Sequence, residues 1–305
     1  MLIRPATEHD ADAIWRIFHA VVAGRDTYAF PPDTPREEGV GYWFGADITS
    51  FVAETDGAVV GMYKLIANRR GLGAHVANAS FMVDPPAAGQ GIGRALGTHC
   101  LREARVQGYD AMQFNFVVST NRRGVALWQS LGFRIVGTLP RAFRHGALGL
   151  VDAYVMHRFL DDLVLTFGDP PVEGNAVVRP SAYAVIQNAS GELAIVNAEE
   201  GVLLPGGGTN DDETPEEAVL REVEEECALQ MKVTGHLGEA VQFVHSATRN
   251  THFEKRSLFV AGRVVRETGG TPEHTMHWLP AADALRAVSY ESHAWAINRW
   301  AKLYS

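Results

Sequence analysis

Between Asp161 and Asn175 the segment DDLVLTFGDPPVEGN carries two prolines and two glycines and loses the hydrophobic periodicity that runs on either side of it. Such a stretch neither continues a helix nor extends a regular strand pattern, so it reads as a linker, 161–175, that cuts the chain in two. The 305 residues then fall into a first domain of 1–160 and a second of 176–305, each within the ~100–200 residues that one core usually serves. With 46% hydrophobic and 21% charged residues, both halves have the apolar material to fold.

In the first half, short apolar strands alternate with helical patterns, with strands at 50–54, 58–66, 75–83 and 112–117 and helices at 8–22, 91–106 and 123–131, which predicts a mixed α/β layer. The second half reads as strands at 176–178, 182–188, 193–197, 231–235, 239–245 and 257–265 around an acidic helix at 214–227. Thr55-Asp56-Gly57 has the composition of a hairpin turn. No apolar stretch approaches the ~20 residues that span a bilayer, and no secretory leader opens the chain. The two cysteines, Cys100 and Cys227, fall one in each half inside helical patterns, which suits a reducing, cytoplasmic setting better than a disulfide framework.

Charge is divided unevenly. Residues 1–160 carry 16 Lys+Arg against 14 Asp+Glu and the remainder 11 against 22, so the halves stand at +2 and −11. A phosphorylated substrate of the second half therefore needs bridging cations. No basic stripe appears in either half, which argues against a nucleic-acid partner; a membrane partner is not expected either, and oligomerisation stays open.

Two segments in the first half carry chemistry. The run Val83-Asp84-Pro85-Pro86-Ala87-Ala88-Gly89-Gln90-Gly91-Ile92-Gly93-Arg94 passes from strand to glycine-rich turn to helix start, and unpaired amides at such a turn make a phosphate site. Downstream, Asn121 precedes Ala126-Leu127-Trp128-Gln129-Ser130-Leu131-Gly132-Phe133. With both segments at this spacing, residues 1–160 resemble the GNAT N-acetyltransferases. The resemblance implies a GNAT fold, a mixed central sheet with flanking helices, and acetyl-CoA as cofactor. The strand ending in Met82 and Val83 would run beside the pantetheine arm, and the amides of Gly89, Gln90, Gly91, Ile92, Gly93 and Arg94 would hold the pyrophosphate. Asn121 and Trp128 would complete the cofactor site. Trp128 stands where many members have a tyrosine that protonates the leaving thiolate; an indole N–H only donates hydrogen bonds, so water is the expected acid here. HVANASFMVDPPAAGQGIGR and FNFVVSTN look more particularly like the fungal acetyltransferases that acylate proline analogues such as azetidine-2-carboxylate. Asn78 and Asn115 match polar positions there and are the candidate catalytic residues, binding a small amine or amino-acid-like acceptor or fixing a water that relays its proton.

The second half contains GGTNDDETPEEAVLREVEEECAL, from Gly207 to Leu229. At 3.6 residues per turn, Glu222, Glu225 and Glu226 share one helix face, and three anions there call for a hard cation, Mg²⁺ or Mn²⁺. The run resembles the Nudix box of MutT-like hydrolases, G-x₅-E-x₇-R-E-U-x-E-E-x-G-U, at eight of nine defined positions; Ala228 replaces the last glycine. This implies a Nudix fold, an α/β/α sandwich, with Glu222, Glu225, Glu226 and Gly207 at the metal and catalysis by the three glutamates. Glu213 and Arg221 would form a structural ion pair, Thr214 would cap the helix and Pro215 would open it. Glu254 is a candidate extra ligand or base. If Ala228 has positive φ, the lost glycine costs ~1 kcal/mol.

The expected protein is a bifunctional enzyme. It would acetylate a small amine from acetyl-CoA, and hydrolyse, with Mg²⁺, a nucleoside diphosphate linked to another group. The alternative is one active domain whose neighbour is a CoA- or nucleotide-binding regulatory module.

Overall fold

The computed structural model describes residues 1–171, 176–210, 212–246 and 250–304; positions 172–175 of the expected linker and the expected domain end at 305 lie outside the described residues. Contacts divide the chain into two units, Met1–Arg105 with Tyr109–Leu160, and Asp161–Ser305 with Val106–Gly108.

The first unit is a sheet of strands β1 (Leu2–Pro5), β2 (Thr49–Thr55), β3 (Ala58–Ala67), β4 (Val76–Val83), β5 (Ala111–Val118), β6 (Arg134–His145) and β7 (Gly149–Phe159). Their order is β1-β2-β3-β4-β5-β7-β6, antiparallel except for the β4–β5 pair. The helices are α1 (Ala11–Ala23), α2 (Arg36–Gly41), α3 (Ile92–Val106) and α4 (Arg122–Ser130). Ile14, Ile17, Phe18 and Val22 recur along one stripe of α1 and are buried with Trp43, Val52, Met62 and Met82. The β2–β3 turn has positive φ at Asp56 and Gly57, as a tight hairpin connection requires.

In the second unit the strands are β8 (Leu165–Phe167), β9 (Val177–Gln187), β10 (Leu193–Ala198), β11 (Gly201–Leu203), β12 (Gly206–Gly208), β13 (Leu229–Ser246), β14 (Thr251–Glu267) and β15 (Thr275–Leu279). The order is β11-β10-β9-β14-β13-β8, with β12 on β9 and β15 on β10. Alternate residues of β9 feed two cores. Ala182, Ala184 and Ile186 pack under Val219, Val223 and Cys227 of α5 (Pro215–Cys227). Tyr183 and Val185 pack with Phe259 under Trp295 and Trp300 of α7 (Glu291–Tyr304), beside α6 (Ala281–Ala287). The result is the expected sandwich of helices about a mixed sheet.

Several elements depart from the sequence pattern. The expected strands 176–178 and 182–188 are one strand, because Pro180 does not break β9. Its carbonyl accepts from Thr209 N–H at 3.1 Å, so the edge that lacks a donor is turned away from β14 and no β9–β14 hydrogen bond is lost. Residues 231–235 and 239–245 likewise merge into β13, whose register shifts at Val233/Gly235 and His236/Gly238 absorb the glycines. Strand β8 forms inside the segment expected as linker and pairs with β13. Among the described residues, no helix is long and apolar enough to cross a membrane.

Candidate active sites

Strands β4 and β5 pair only at Val76–Ala111 and Ala77–Met112. Beyond that point a bulge on β5, where Asn115 and Phe116 fall between the pairs Phe114–Met156 and Val117–Tyr154, bends it away. The gap is closed at its fork by amides. Asn78 Nδ2 donates to the Gln113 carbonyl at 2.9 Å, in place of a strand-to-strand bond. Asn115 Nδ2 donates to Asn68 Oδ1 at 2.6 Å, and Gln113 Nε2 donates to Asn115 Oδ1 at 2.8 Å. Among the described residues, no hydrogen bond reaches Asn78 Oδ1. Asparagine, disfavoured in strands, thus has a structural reason at both positions as well as a place in the site.

Above the fork opens a cleft of about 450 Å³ whose lining includes Asn78, Asn115, Asn121 and Trp128. The Trp128 ring lies 4.7 Å from Phe81 and 4.8 Å from Phe114. Asn121 caps α4, its Oδ1 accepting from Gly124 N–H at 3.0 Å, so its observed role is a turn that shapes the cleft wall. Met82 and Val83 are not in the lining: the Met82 side chain belongs to the core, and both residues pair with β3. The loop of Gly89, Gln90 and Gly91 is exposed, both glycines having positive φ, and leads into α3 through Ile92, Gly93 and Arg94. The Arg94 guanidinium donates to Ser130 Oγ at 2.9 Å.

Sequence reasoning missed Asn68, Gln113, Tyr28 and Tyr42. The Tyr28 hydroxyl donates to the Phe81 carbonyl at 2.7 Å and accepts from the Phe81 N–H at 2.9 Å, satisfying the edge of β4 that β5 has left. Burial raises its pKa, so it stays a neutral donor. Tyr42 shares a 2.6 Å hydrogen bond with Ser80. Neither tyrosine has a local signal, since both stand in loops that only the tertiary fold brings to β4. Asp84 is tied to Arg16 and is not a free base.

In the second unit, α5 begins as its sequence predicts. Thr214 and Glu217 form a reciprocal cap with Pro215 in the first turn. Arg221 holds Glu213 at 2.7 Å, and also Glu222 and Glu225 at 2.9 Å each. The Arg221 hydrogen bond, with Asn210 N–H, brings the Glu213 carboxyl down to about 2. Glu226 turns the other way: its Oε2 accepts from Gly206 N–H at 2.9 Å and its Oε1 lies 3.3 Å from His274 Nε2. Burial pushes its carboxyl up to about 7; the Gly206 N–H opposes this, and the charges of Glu222, Glu273 and Glu225 add to it.

Among the described residues, no three His, Cys, Asp or Glu side chains converge on one point, because the Arg221 guanidinium lies between Glu222 and Glu225. The donor set nonetheless suits a hard cation, since Glu222, Glu225 and Glu226 offer carboxylate oxygens from one helix. At Gly207 a Cβ would lie 2.6 Å from the Glu222 carboxylate, so a larger residue there would push that side chain aside. Ala228 has φ +52° and ψ +35°, the left-handed geometry for which glycine is the ordinary residue. Glu254 is held by Arg256 at 2.7 Å and lies outside the recess beside the glycine strand. Its neighbour Lys255 lines that recess, and no sequence signal marked it.

Residues 15–133 match the acetyltransferase (GNAT) family and residues 177–300 the NUDIX domain. N-acetyltransferase aca1 of Schizosaccharomyces pombe is 34% identical over 99 residues, which are 32% of this chain and 47% of that one, so the chain spans about half the length of this relative. The structure of a GCN5-related N-acetyltransferase from Kribbella flavida matches at 43% identity and a TM-score of 0.50, covering 52% of this chain and 96% of that one. A GNAT superfamily phosphinothricin acetyltransferase from Sinorhizobium meliloti, in complex with AcCoA, matches at 25% identity and a TM-score of 0.46, over 52% and 87%.

Proposed function

We propose that this chain, which belongs to the GNAT acetyltransferases through its first half and carries a NUDIX domain in its second, is an enzyme with two independent active sites. The observation that supports this best is that each unit holds its own constellation, a neutral amide-lined cleft in one and a carboxylate helix beside a glycine strand in the other. We take 1–160 and 176–305 as the working domains, joined through 161–175.

In the first site acetyl-CoA would lie against the open edge of β4, its pyrophosphate on the amides from Gly89 to Arg94. The acceptor is a small amine, amino-acid-like in kind. Amides are neither acids nor bases at neutral pH, so Asn78 and Asn115 orient the amine and a water that takes its proton. Asn78 Oδ1 is the acceptor left for an N–H. Acetyl-CoA, when bound, would supply an activated acetyl group on a thiol leaving group; Asn78 and Asn115 would hold the amine and its water, and Trp128, a hydrogen-bond donor only, would leave protonation of the thiolate to water.

At the second site, Glu222, Glu225 and Glu226 with the Gly207 carbonyl would hold Mg²⁺ or Mn²⁺, which when bound polarises a phosphoryl oxygen and acidifies an attacking water. Glu226, whose carboxyl is raised by burial to about 7, would ionise as it takes the cation. Arg221 fixes the loop through Glu213 and keeps Glu222 and Glu225 in place. The substrate class is a nucleoside diphosphate linked to another group.

The test is a metabolite-pool incubation with acetyl-CoA and Mg²⁺, read by mass spectrometry for acetylated amines and for cleaved diphosphates. Both product types are expected; the absence of either removes the corresponding half of the proposal.

A further inference from the structure

Backbone groups along β4 turn alternately toward β3 and away from it. The Val76 carbonyl accepts from Asn68 N–H at 2.7 Å and Asp84 N–H donates to the Val60 carbonyl at 2.9 Å, both on the β3 side. The register between Gly61–Val83 and Ala67–Ala77 has no shift, so Ala77, Ala79, Phe81 and Val83 present their N–H and C=O groups to the other side. Ala77 meets β5 there. The remaining three face the gap that the bulge on β5 opens.

In the middle of this edge Tyr28 takes both groups of one residue, donating to the Phe81 carbonyl at 2.7 Å and accepting from Phe81 N–H at 2.9 Å. Tyr28 stands in the loop between α1 and α2, and it lines the cleft together with Thr27 and Phe30 of the same loop. A hydroxyl can both donate and accept, so it imitates a neighbouring strand at a single point. Taking it away leaves an inward-facing N–H and C=O without a partner, which costs more than an ordinary hydrogen bond contributes. A ligand with amide groups of its own can replace it bond for bond, as an added strand does, and the pantetheine arm of acetyl-CoA carries such amides.

Resting on the acetyltransferase reading of this half, we propose that Tyr28 is a latch on the cofactor's track. It holds the open edge of β4 in the free protein and gives up Phe81 to acetyl-CoA. Thr27 and Phe30 move with it, so the cleft wall is set only after the latch has opened, and the cofactor binds before the amine.

Isothermal titration of the full chain with coenzyme A tests this in wild type and in Tyr28→Phe, which keeps the ring and removes the hydroxyl alone. Tyr28→Phe is expected to bind coenzyme A about tenfold more tightly, because Phe81 then has no bond to give up. A merely structural role would lower the melting temperature without tightening the ligand, so affinity equal to or weaker than wild type overturns the latch. Should Tyr28→Phe fail to fold, nitration of the wild type by tetranitromethane, mapped by mass spectrometry, decides. Tyr28 is then protected in the free chain and reactive once coenzyme A is bound; protection unchanged by coenzyme A overturns the proposal. If neither chain binds coenzyme A, the acetyltransferase reading falls and the latch with it. If both bind it equally and transfer acetyl to an amine, the latch falls alone.

Discussion

The cleft of the first unit is lined at its fork by neutral amides and hydroxyls, whereas the face of the second is built from ion pairs. Asn68, Asn78, Gln113 and Asn115 hold one another without a formal charge, while Arg221 alone touches Glu213, Glu222 and Glu225. On the proposed function, the difference follows from what each site would bind. An amine that has to lose a proton before attack is poorly served by a carboxylate that would hold it as ammonium. A diphosphate needs positive charge brought to it, and a cluster of anions is how a protein recruits a metal ion.

The largest effect should come from breaking the charged site. Glu225→Gln with Glu226→Gln is expected to lower diphosphate hydrolysis by on the order of a thousandfold, the scale of removing ~4 kcal/mol of transition-state stabilisation, with acetyl transfer unchanged. Loss of both activities together would show that the sites are coupled.

Asn78→Ala and Asn115→Ala sharpen the other side. Each should cost acetyl transfer about a hundredfold and leave diphosphate hydrolysis intact, measured on the same preparations. A loss that appears only in KM would assign these amides to acceptor binding; a loss in kcat assigns them to the proton path.

The two sites were unequally legible in the sequence. The second is mostly local: Glu222, Glu225 and Glu226 sit on one helix, and the box resemblance marked Glu213 as the partner of Arg221 eight residues on, although Glu226 turns to Gly206 and the three carboxylates do not converge. The first is assembled from a distance. Asn68 is 47 residues from Asn115 and Tyr28 is 53 from Phe81, and no periodicity joins such pairs. The same limit hid Lys255, which meets Glu200 across 55 residues, and it let Pro180 read as a strand end although its carbonyl faces Thr209. The splay of β4 from β5 is likewise invisible in the sequence, because its cause, the bulge at Asn115–Phe116, shows only against the partner strand.

Charge also separates the interiors. Both units bury a lysine, but Lys255 is paired with Glu200, whereas Lys64 donates to the Tyr42 carbonyl at 2.8 Å and lies against that tyrosine's ring. Burial lowers the Lys64 pKa to about 8. Between about 8 and its ordinary 10.5, the unfolded chain binds a proton that the folded one does not, so stability rises with pH across that window. The gain is roughly 3 kcal/mol. Lys64→Met should abolish this slope in pH-dependent unfolding; a slope of equal size in the variant would assign it to other groups.

The smallest effect belongs to the end of α5. Ala228 holds a left-handed conformation that costs an L residue ~1–2 kcal/mol, and glycine there gives back about half of that through its greater freedom when unfolded. Ala228→Gly should therefore stabilise the second unit by ~0.5–1 kcal/mol, with the hydrolase rate unchanged because neither Glu225 nor Glu226 moves. A variant that melts lower would mean that the buried Ala228 methyl contributes more by packing than its backbone loses by strain. In that case the departure from the box glycine is a local repair of the core, made where the charged site can tolerate it because α5 has already ended.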